Sequence, residues 1–218
     1  MSAKSAPRAE VIATLARRRT STRRFKTENI SLRLVIDILE VARQAPSGAN
    51  KQPWRFLIIS STRLKGKVRA ACEEGEREFH SKAPRWMKRW MRKNKITPSK
   101  PFLTEAPYLI VVCSDTRAPY HVQSTWISIG FMLLAIEEMG LGTLTYTPSD
   151  TSALRRVLKI PKEFSLEAVL PIGIPAESKA KSRRGLRNLV YLNAWNRGRL
   201  EPKTEKSCFK RYKRKFLR

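Results

Sequence analysis

The densest chemistry in this chain lies at Arg19-Thr20-Ser21-Thr22-Arg23-Arg24-Phe25, where guanidinium groups and hydroxyls follow a basic, helix-forming stretch. Such donors suit a phosphate dianion, because each N–H or O–H can make a charge-assisted bond to a phosphate oxygen. A solvated basic helix end is the alternative reading. A second cluster, Ala45-Pro46-Ser47-Gly48-Ala49-Asn50-Lys51-Gln52-Pro53-Trp54, is a turn leading into an apolar run. Its backbone N–H groups and the Ser47 hydroxyl could meet a flat ring lying close to the chain, an approach that Gly48 permits. The third, Gly142-Thr143-Leu144-Thr145-Tyr146-Thr147-Pro148, loads a strand end with hydroxyls, and the fourth is Pro171-Ile172-Gly173-Ile174-Pro175 before the basic run Lys179 to Arg187. Taken singly, each is also explained by a solvated loop.

Other chemistries are poorly supplied. The sequence has no H-E-x-x-H, no G-x-S-x-G and neither of the glycine-rich nucleotide signatures, and its only histidines are His80 and His121. No metal site is therefore expected. Cys72, Cys113 and Cys208 are odd in number and lack C-x-x-C spacing, which argues against a disulfide scaffold and for a reducing, cytoplasmic setting.

The elements that must position these clusters follow from apolar periodicity. Helices are expected over Glu10 to Arg19, Leu32 to Gln44, Lys65 to His80, Gln123 to Met139 and Ser152 to Leu158. The 123–139 helix is apolar all round, which suits a central helix or a subunit interface. Strands are expected at Trp54 to Ser60, Tyr108 to Cys113, Leu141 to Tyr146 and Ala168 to Ile174, the first of them fully buried. Pro84 to Pro101, basic, Trp-bearing and Pro-bounded, reads as a surface flap. Beyond about Arg197 the composition turns polar and basic, as for a disordered tail or one that wraps a partner subunit.

Charge is the anomaly: 45 Lys and Arg against 18 Asp and Glu give +27 in 218 residues. Either a solvated basic surface or binding to nucleic acid or an anionic membrane would account for it. In particular, Arg85-Trp86-Met87-Lys88-Arg89-Trp90-Met91-Arg92 interleaves aromatic and basic side chains, as a nucleic-acid stacking platform or an interfacial helix would.

In this order, the blocks resemble the nitroreductase superfamily. The resemblance rests on R-x-S-T-[RK]-x-F, A-P-S-G-A-x-x-x-P-W, E-A-P-Y-L-I-V-V, G-L-x-T-x-T-x-T-P and L-P-x-G-x-P, and it spans roughly residues 15 to 193. The A-P-S-G-A turn and the T-x-T-P segment bring it nearest to the iodotyrosine deiodinase-like branch. The resemblance implies an α+β fold, a three-layer α/β/α arrangement about a mixed, mainly antiparallel sheet, in an interlocked homodimer. One domain over 1–197, with a lid at about 73–102, would precede a basic tail at 198–218.

It further implies an FMN-dependent oxidoreductase that takes electrons from NAD(P)H and passes them, ping-pong, to a nitroaromatic, quinone or halophenol. By that resemblance Arg19, Thr20 and Ser21 grip the FMN phosphate, with Arg183 as a second ligand. Arg23 lies beside the N1 and O2 edge of the ring, where a cation favours the reduced form. Ser47 and Gly48 line the ring. Thr145, Tyr146 and Thr147 approach its N4 and N5 edge, the Thr147 hydroxyl at N5 being associated with one-electron steps. For a deiodinase-like substrate, Ala49 supplies a backbone contact to the phenolate and Lys100 matches the lid lysine. The lid Glu–Tyr pair falls on Gly75 and Phe79 by ungapped counting, or on Glu76 and His80 when anchored on Lys67-Val68-Arg69; no tyrosine lies between 60 and 107.

Overall fold

Strands form where the chain carries its longest aliphatic runs. β1 is Trp54–Ile59, β2 Tyr108–Asp115, β3 Gly142–Thr143 and β4 Phe164–Gly173, in the sheet order β1-β2-β4-β3. All three ladders are antiparallel. A parallel pairing, Ser21 with Thr143, occurs as an isolated bridge outside the named strands. The computed structural model describes residues 8–177, 182–184, 189–191, 193 and 195. They fall in two compact units, Arg19–Ser178 and Met1–Arg18 with Lys179–Arg218.

Within the first unit, helices cover both faces of the sheet. α2 (Leu32–Ala42) and α6 (His121–Glu138) lie on one, where Val35, Ile38, Ile129, Met132 and Ile136 pack against Ile110, Val112, Leu170 and Ile172. The Ser31 hydroxyl caps α2 by accepting from Leu34 N at 3.3 Å, and Ser128 Oγ donates to the Ala42 carbonyl at its other end. On the opposite face lie α3 (Thr62–Lys82), α5 (Phe102–Glu105) and α7 (Ser152–Leu158). Val68, Cys72, Phe102, Leu103 and Leu154 meet Leu109, Val111, Leu166 and Val169 there. The three layers and the mainly antiparallel sheet are those the resemblance implies. Burial raises the thiols of Cys72, to about 12, and Cys113, to about 11, so both stay protonated at neutral pH.

Three expectations need correcting. β1 is not fully buried: it is an edge strand paired only with β2, and its exposure alternates between buried or half-buried and exposed residues. The expected 141–146 strand is cut to Gly142–Thr143, after which the chain leaves the ladder and touches β4 again only at Tyr146↔Val169. The expected flap contains a helix, α4 (Arg85–Lys93), anchored by buried Met91. Among the described residues no helix is long and apolar enough to cross a membrane.

The other unit contains α1 (Arg8–Arg18) and the stacked rings of Tyr191 and Trp195, 4.5 Å apart. The tail at 198–218 and Cys208 lie outside the described residues.

Candidate active site

Backbone pairing unites the first and third sequence blocks. Thr22 N donates to Thr143 O at 2.9 Å, Ser21 bridges Thr143, and Lys26 N donates to Ile174 O, so residues 21–26 run along the end of β3 and β4. Arg19, Thr20 and Ser21 are half-buried, whereas Arg23 is exposed and its amide donates to Glu177 Oε1 at 2.7 Å. Beyond β3, alternation sends Leu144 and Tyr146 into the core, with Thr145 half-buried and Thr147 exposed. Residues that bear guanidinium and hydroxyl groups thus lie along one edge of the sheet, a set whose chemistry fits a phosphate.

The Ala45–Trp54 turn is elsewhere. Gly48 N donates to Ser124 Oγ of α6 at 3.2 Å, and a Cβ on Gly48 would lie 3.0 Å from the Tyr120 ring and 3.1 Å from Pro119 O. Ser47 Oγ accepts from Gln52 N at 2.9 Å. Ala49 (φ 48), Asn50 (φ 51) and Gln52 (φ 46) all occupy the left-handed region, at a cost of roughly 1–3 kcal/mol each. The turn enters β1 at Trp54, which pairs with Ser114 at one end of β2, whereas Thr143 reaches β2 through Ile172 and Tyr108 at its other end. At about 3.3 Å per residue, the two clusters of one chain are separated by about 20 Å along the sheet.

A buried ionic cluster lies on the α3 side. Glu76, 6% exposed, accepts at Oε1 from Tyr146 Oη (3.0 Å) and Ser149 Oγ (2.9 Å), and its Oε2 is 3.2 Å from Lys100 Nζ and 4.0 Å from His80 Nε2. Lys100 is itself buried; its Nζ donates to Thr97 O at 2.6 Å and its backbone N–H to Glu73 Oε1 at 2.7 Å. Beside this cluster, between α3 and α4, opens a cleft of about 380 Å³. Its polar wall is Glu76 and His80, its apolar walls Phe79, Trp86, Met87, Trp90, Met91 and Ile96. Apolar walls with a few convergent polar groups suit a small aromatic ligand.

Burial pushes the Glu76 carboxyl up, but the Lys100 charge and the Ser149 and Tyr146 hydroxyls outweigh it and hold it below its ordinary 4.5. For Glu73 the Lys100 backbone N–H and the Arg69 guanidinium likewise overcome burial. A carboxyl depressed on folding contributes stability above its unfolded pKa and loses it as pH falls through the folded one. Urea midpoints are therefore expected to fall below about pH 5, and less steeply in a Glu73→Gln/Glu76→Gln variant. A wild-type profile as shallow as the variant's would refute this account.

The description "Nitroreductase family" belongs to a family model that matches residues 16–174. The chain belongs to the nitroreductase family. The iodotyrosine deiodinase of Thermotoga neapolitana is 45% identical over 170 residues, 78% of this chain and 91% of the relative. That of Haliscomenobacter hydrossis is 38% identical over 174 residues, 73% of this chain and 77% of the relative. A crystal structure of oxidized iodotyrosine deiodinase bound to FMN and 3-iodo-L-tyrosine aligns with a TM-score of 0.76 at 44% identity, covering 80% of this chain and 95% of that one.

Within this nitroreductase fold the expected site residues are only partly gathered. The Arg19–Ser21 segment meets the chain at Thr143, just before Thr145 and Thr147, and Glu76, His80 and Lys100 share the ionic cluster that Tyr146 joins. Ser47, Gly48 and Ala49 stand apart. The Tyr146 side chain turns into the core: its hydroxyl donates to Glu76, and its backbone N–H and C=O both pair with Val169. Arg183, in the other unit, is exposed and donates to Ser182 O at 2.9 Å. Sequence reasoning missed Ser149 and Glu73. Glu73 was findable, since Arg69, Glu73 and Glu76 fall on one helical face at i, i+4 and i+7; Ser149 carried no local signal.

Proposed function

We propose that this chain is an FMN-dependent reductive dehalogenase of a halogenated phenol bearing an amino-acid end, such as a halotyrosine, with NAD(P)H supplying electrons. The observation that carries the reading is the buried Glu76–Lys100 pair, 3.2 Å apart beside an apolar cleft. An anion and a cation fixed side by side are complementary to an α-ammonium and an α-carboxylate, and Phe79, Trp86 and Trp90 would enclose the ring. The 45% identity to an iodotyrosine deiodinase supports the same substrate class.

FMN, when bound, supplies the electron transfer. Arg19, Thr20 and Ser21 hold its phosphate, with Arg183 proposed as a further ligand, and Arg23 offers a cation to the ring's N1 and O2 edge. The Thr147 hydroxyl donates at N5, Thr145 lines the same edge, and Tyr146 acts indirectly by orienting Glu76. Ser47 and Gly48 face the ring, and the Ala49 amide meets the phenolate. His80 takes the place of a tyrosine hydroxyl in the lid and can bond the substrate carboxylate.

A homodimer completes this arrangement. The Ser47–Ala49 turn and the Arg19–Ser21 donors of one chain lie about 20 Å apart along the sheet, so a second chain must bring its turn to the first chain's donors. Exposed apolar residues support such an interface: Leu32, Ile36 and Val41 on α2, and Val122, Trp126 and Ile127 on α6.

The deciding experiment is the visible spectrum of the purified protein, followed by anaerobic reduction with 3-iodotyrosine and assay of released iodide. Flavin bands and iodide release are expected. No flavin after reconstitution removes the enzyme reading, and bound flavin that reduces nitroaromatics but frees no iodide makes the protein a general nitroreductase. Arg19→Ala should weaken FMN binding about tenfold or more, the loss of one charge-assisted phosphate contact; full flavin retention would refute the phosphate assignment.

A further inference from the structure

Helix α4 divides its surface: the apolar arc lines the proposed substrate cleft, whereas the cationic arc has no part in the proposed chemistry. At about 100° per residue, Trp86, Met87, Trp90 and Met91 share one arc, while Arg85, Lys88, Arg89, Arg92 and Lys93 fill the rest. Met91 anchors the helix, yet Trp86 is 66% and Trp90 53% exposed. Phe79 and Ile96, also exposed, line the same cleft as the two indoles, so the four side chains form one continuous apolar surface. The cations beside it are uncompensated. α4 contains no acidic residue, and none of its five basic side chains pairs with a carboxylate among the described residues. Lys88 spends its ammonium on the Ser81 carbonyl, at 2.7 Å.

We infer that α4 docks the protein on anionic lipid headgroups, with Trp86, Trp90, Phe79 and Ile96 at the interface and Arg85, Arg89 and Lys93 on lipid phosphates. Charge complementarity selects the occupant: an apolar surface alone would suit a second copy of the chain, but two α4 helices meeting here would set the five cations of one against the five of the other. Segregation of the two arcs favours lipid over nucleic acid. Indoles and aliphatic side chains gathered on one side, with long cationic stems bordering them, are the pattern of a helix lying in the headgroup plane. Stacking on bases would leave Met87 and Ile96 without a role. Docked this way, the cleft mouth faces the bilayer surface, from which an apolar aromatic ligand could enter. The inference does not depend on the dehalogenase reading, since a protein without flavin could bind lipid equally well.

The test is co-sedimentation of the full chain with vesicles of phosphatidylcholine, with and without phosphatidylglycerol, while recording tryptophan fluorescence. Partitioning to the anionic vesicles alone, weakened by salt and accompanied by a blue shift, is expected. Trp86→Ala/Trp90→Ala should abolish the blue shift, and Arg85→Glu/Arg89→Glu/Lys93→Glu, on the exposed arc, should lower partitioning at least about tenfold. Circular dichroism confirms that each variant is folded. The inference is overturned if anionic vesicles do not bind. It is equally overturned if the charge-reversal variant partitions like the wild type, because the net charge is then responsible, or if the chain retains an RNA oligonucleotide through these residues while ignoring vesicles.

Discussion

Lys100→Met is expected to lower folding stability by about 3 kcal/mol at pH 7, the size usual for removing one partner of a buried ion pair. Glu76 and Lys100 have side chains only 8% and 10% exposed, so the carboxylate left behind has little water to turn to. Tyr146 and Ser149 still donate to Oε1, but Oε2 keeps only His80 Nε2 at 4.0 Å. Without the ammonium, burial raises the Glu76 carboxyl above its unfolded value. The deficit should then be largest above that raised pKa and vanish as pH falls and the carboxyl is protonated. Adding Glu76→Gln should return part of the loss, because no charge then remains buried. Urea unfolding of the single and double variants across pH checks this, and equal losses at pH 7 and pH 4 would refute it. Bound flavin should survive in the single variant, because the phosphate donors belong to a different segment, whereas any amino-acid substrate should bind far more weakly.

Gly142→Ala is expected to be comparably damaging, for a steric reason. A Cβ at Gly142 would lie 2.6 Å from Thr22 Oγ1 and 2.9 Å from both Thr22 Cβ and Cγ2. Thr22 is buried and β-branched, so it cannot rotate away, and its amide is tied to Thr143 O. Overpacking of this kind costs about 2–3 kcal/mol. It acts on the contact that holds the Arg19–Ser21 segment against β3, so cofactor retention should fall together with Tm. Thr22→Ala in the same chain removes Oγ1 and Cγ2 and should restore part of both. If Gly142→Ala unfolds at the wild-type temperature and keeps its flavin, the close packing of these two segments is not what positions the donors.

Local pattern made much of this molecule legible. β2 and β4 are central strands, and their near-continuous aliphatic runs announce burial on both faces. α2 follows from apolar spacing, α6 from its all-round apolar content, and the turn residues bound them. The donor-rich segment after α1 needs only residue types to suggest a phosphate. The family resemblance rests on ordered blocks of the same local kind.

What the sequence could not provide are decisions made by partners distant in the chain. Nothing in WRFLII states that it will be an edge strand, because exposure there depends on whether a second neighbour pairs with it. Tyr146 looked like one more polar residue in a hydroxyl-rich strand, until the core placed its hydroxyl on Glu76. The lid shows the limit most clearly. Two alignments, Gly75 with Phe79 or Glu76 with His80, differ by one residue, and one residue turns a helix by about 100°. Packing separates the two faces: Gly75 faces Asp150, whose Cβ would be 3.0 Å from an added Cβ, whereas Glu76 turns toward Lys100 and Tyr146. Residue types and spacing determined that a charged helix would stand here. Only the close approach of α3 to the segment before α7 determined which of its faces is buried, because side-chain volume at a contact is a property of both surfaces at once.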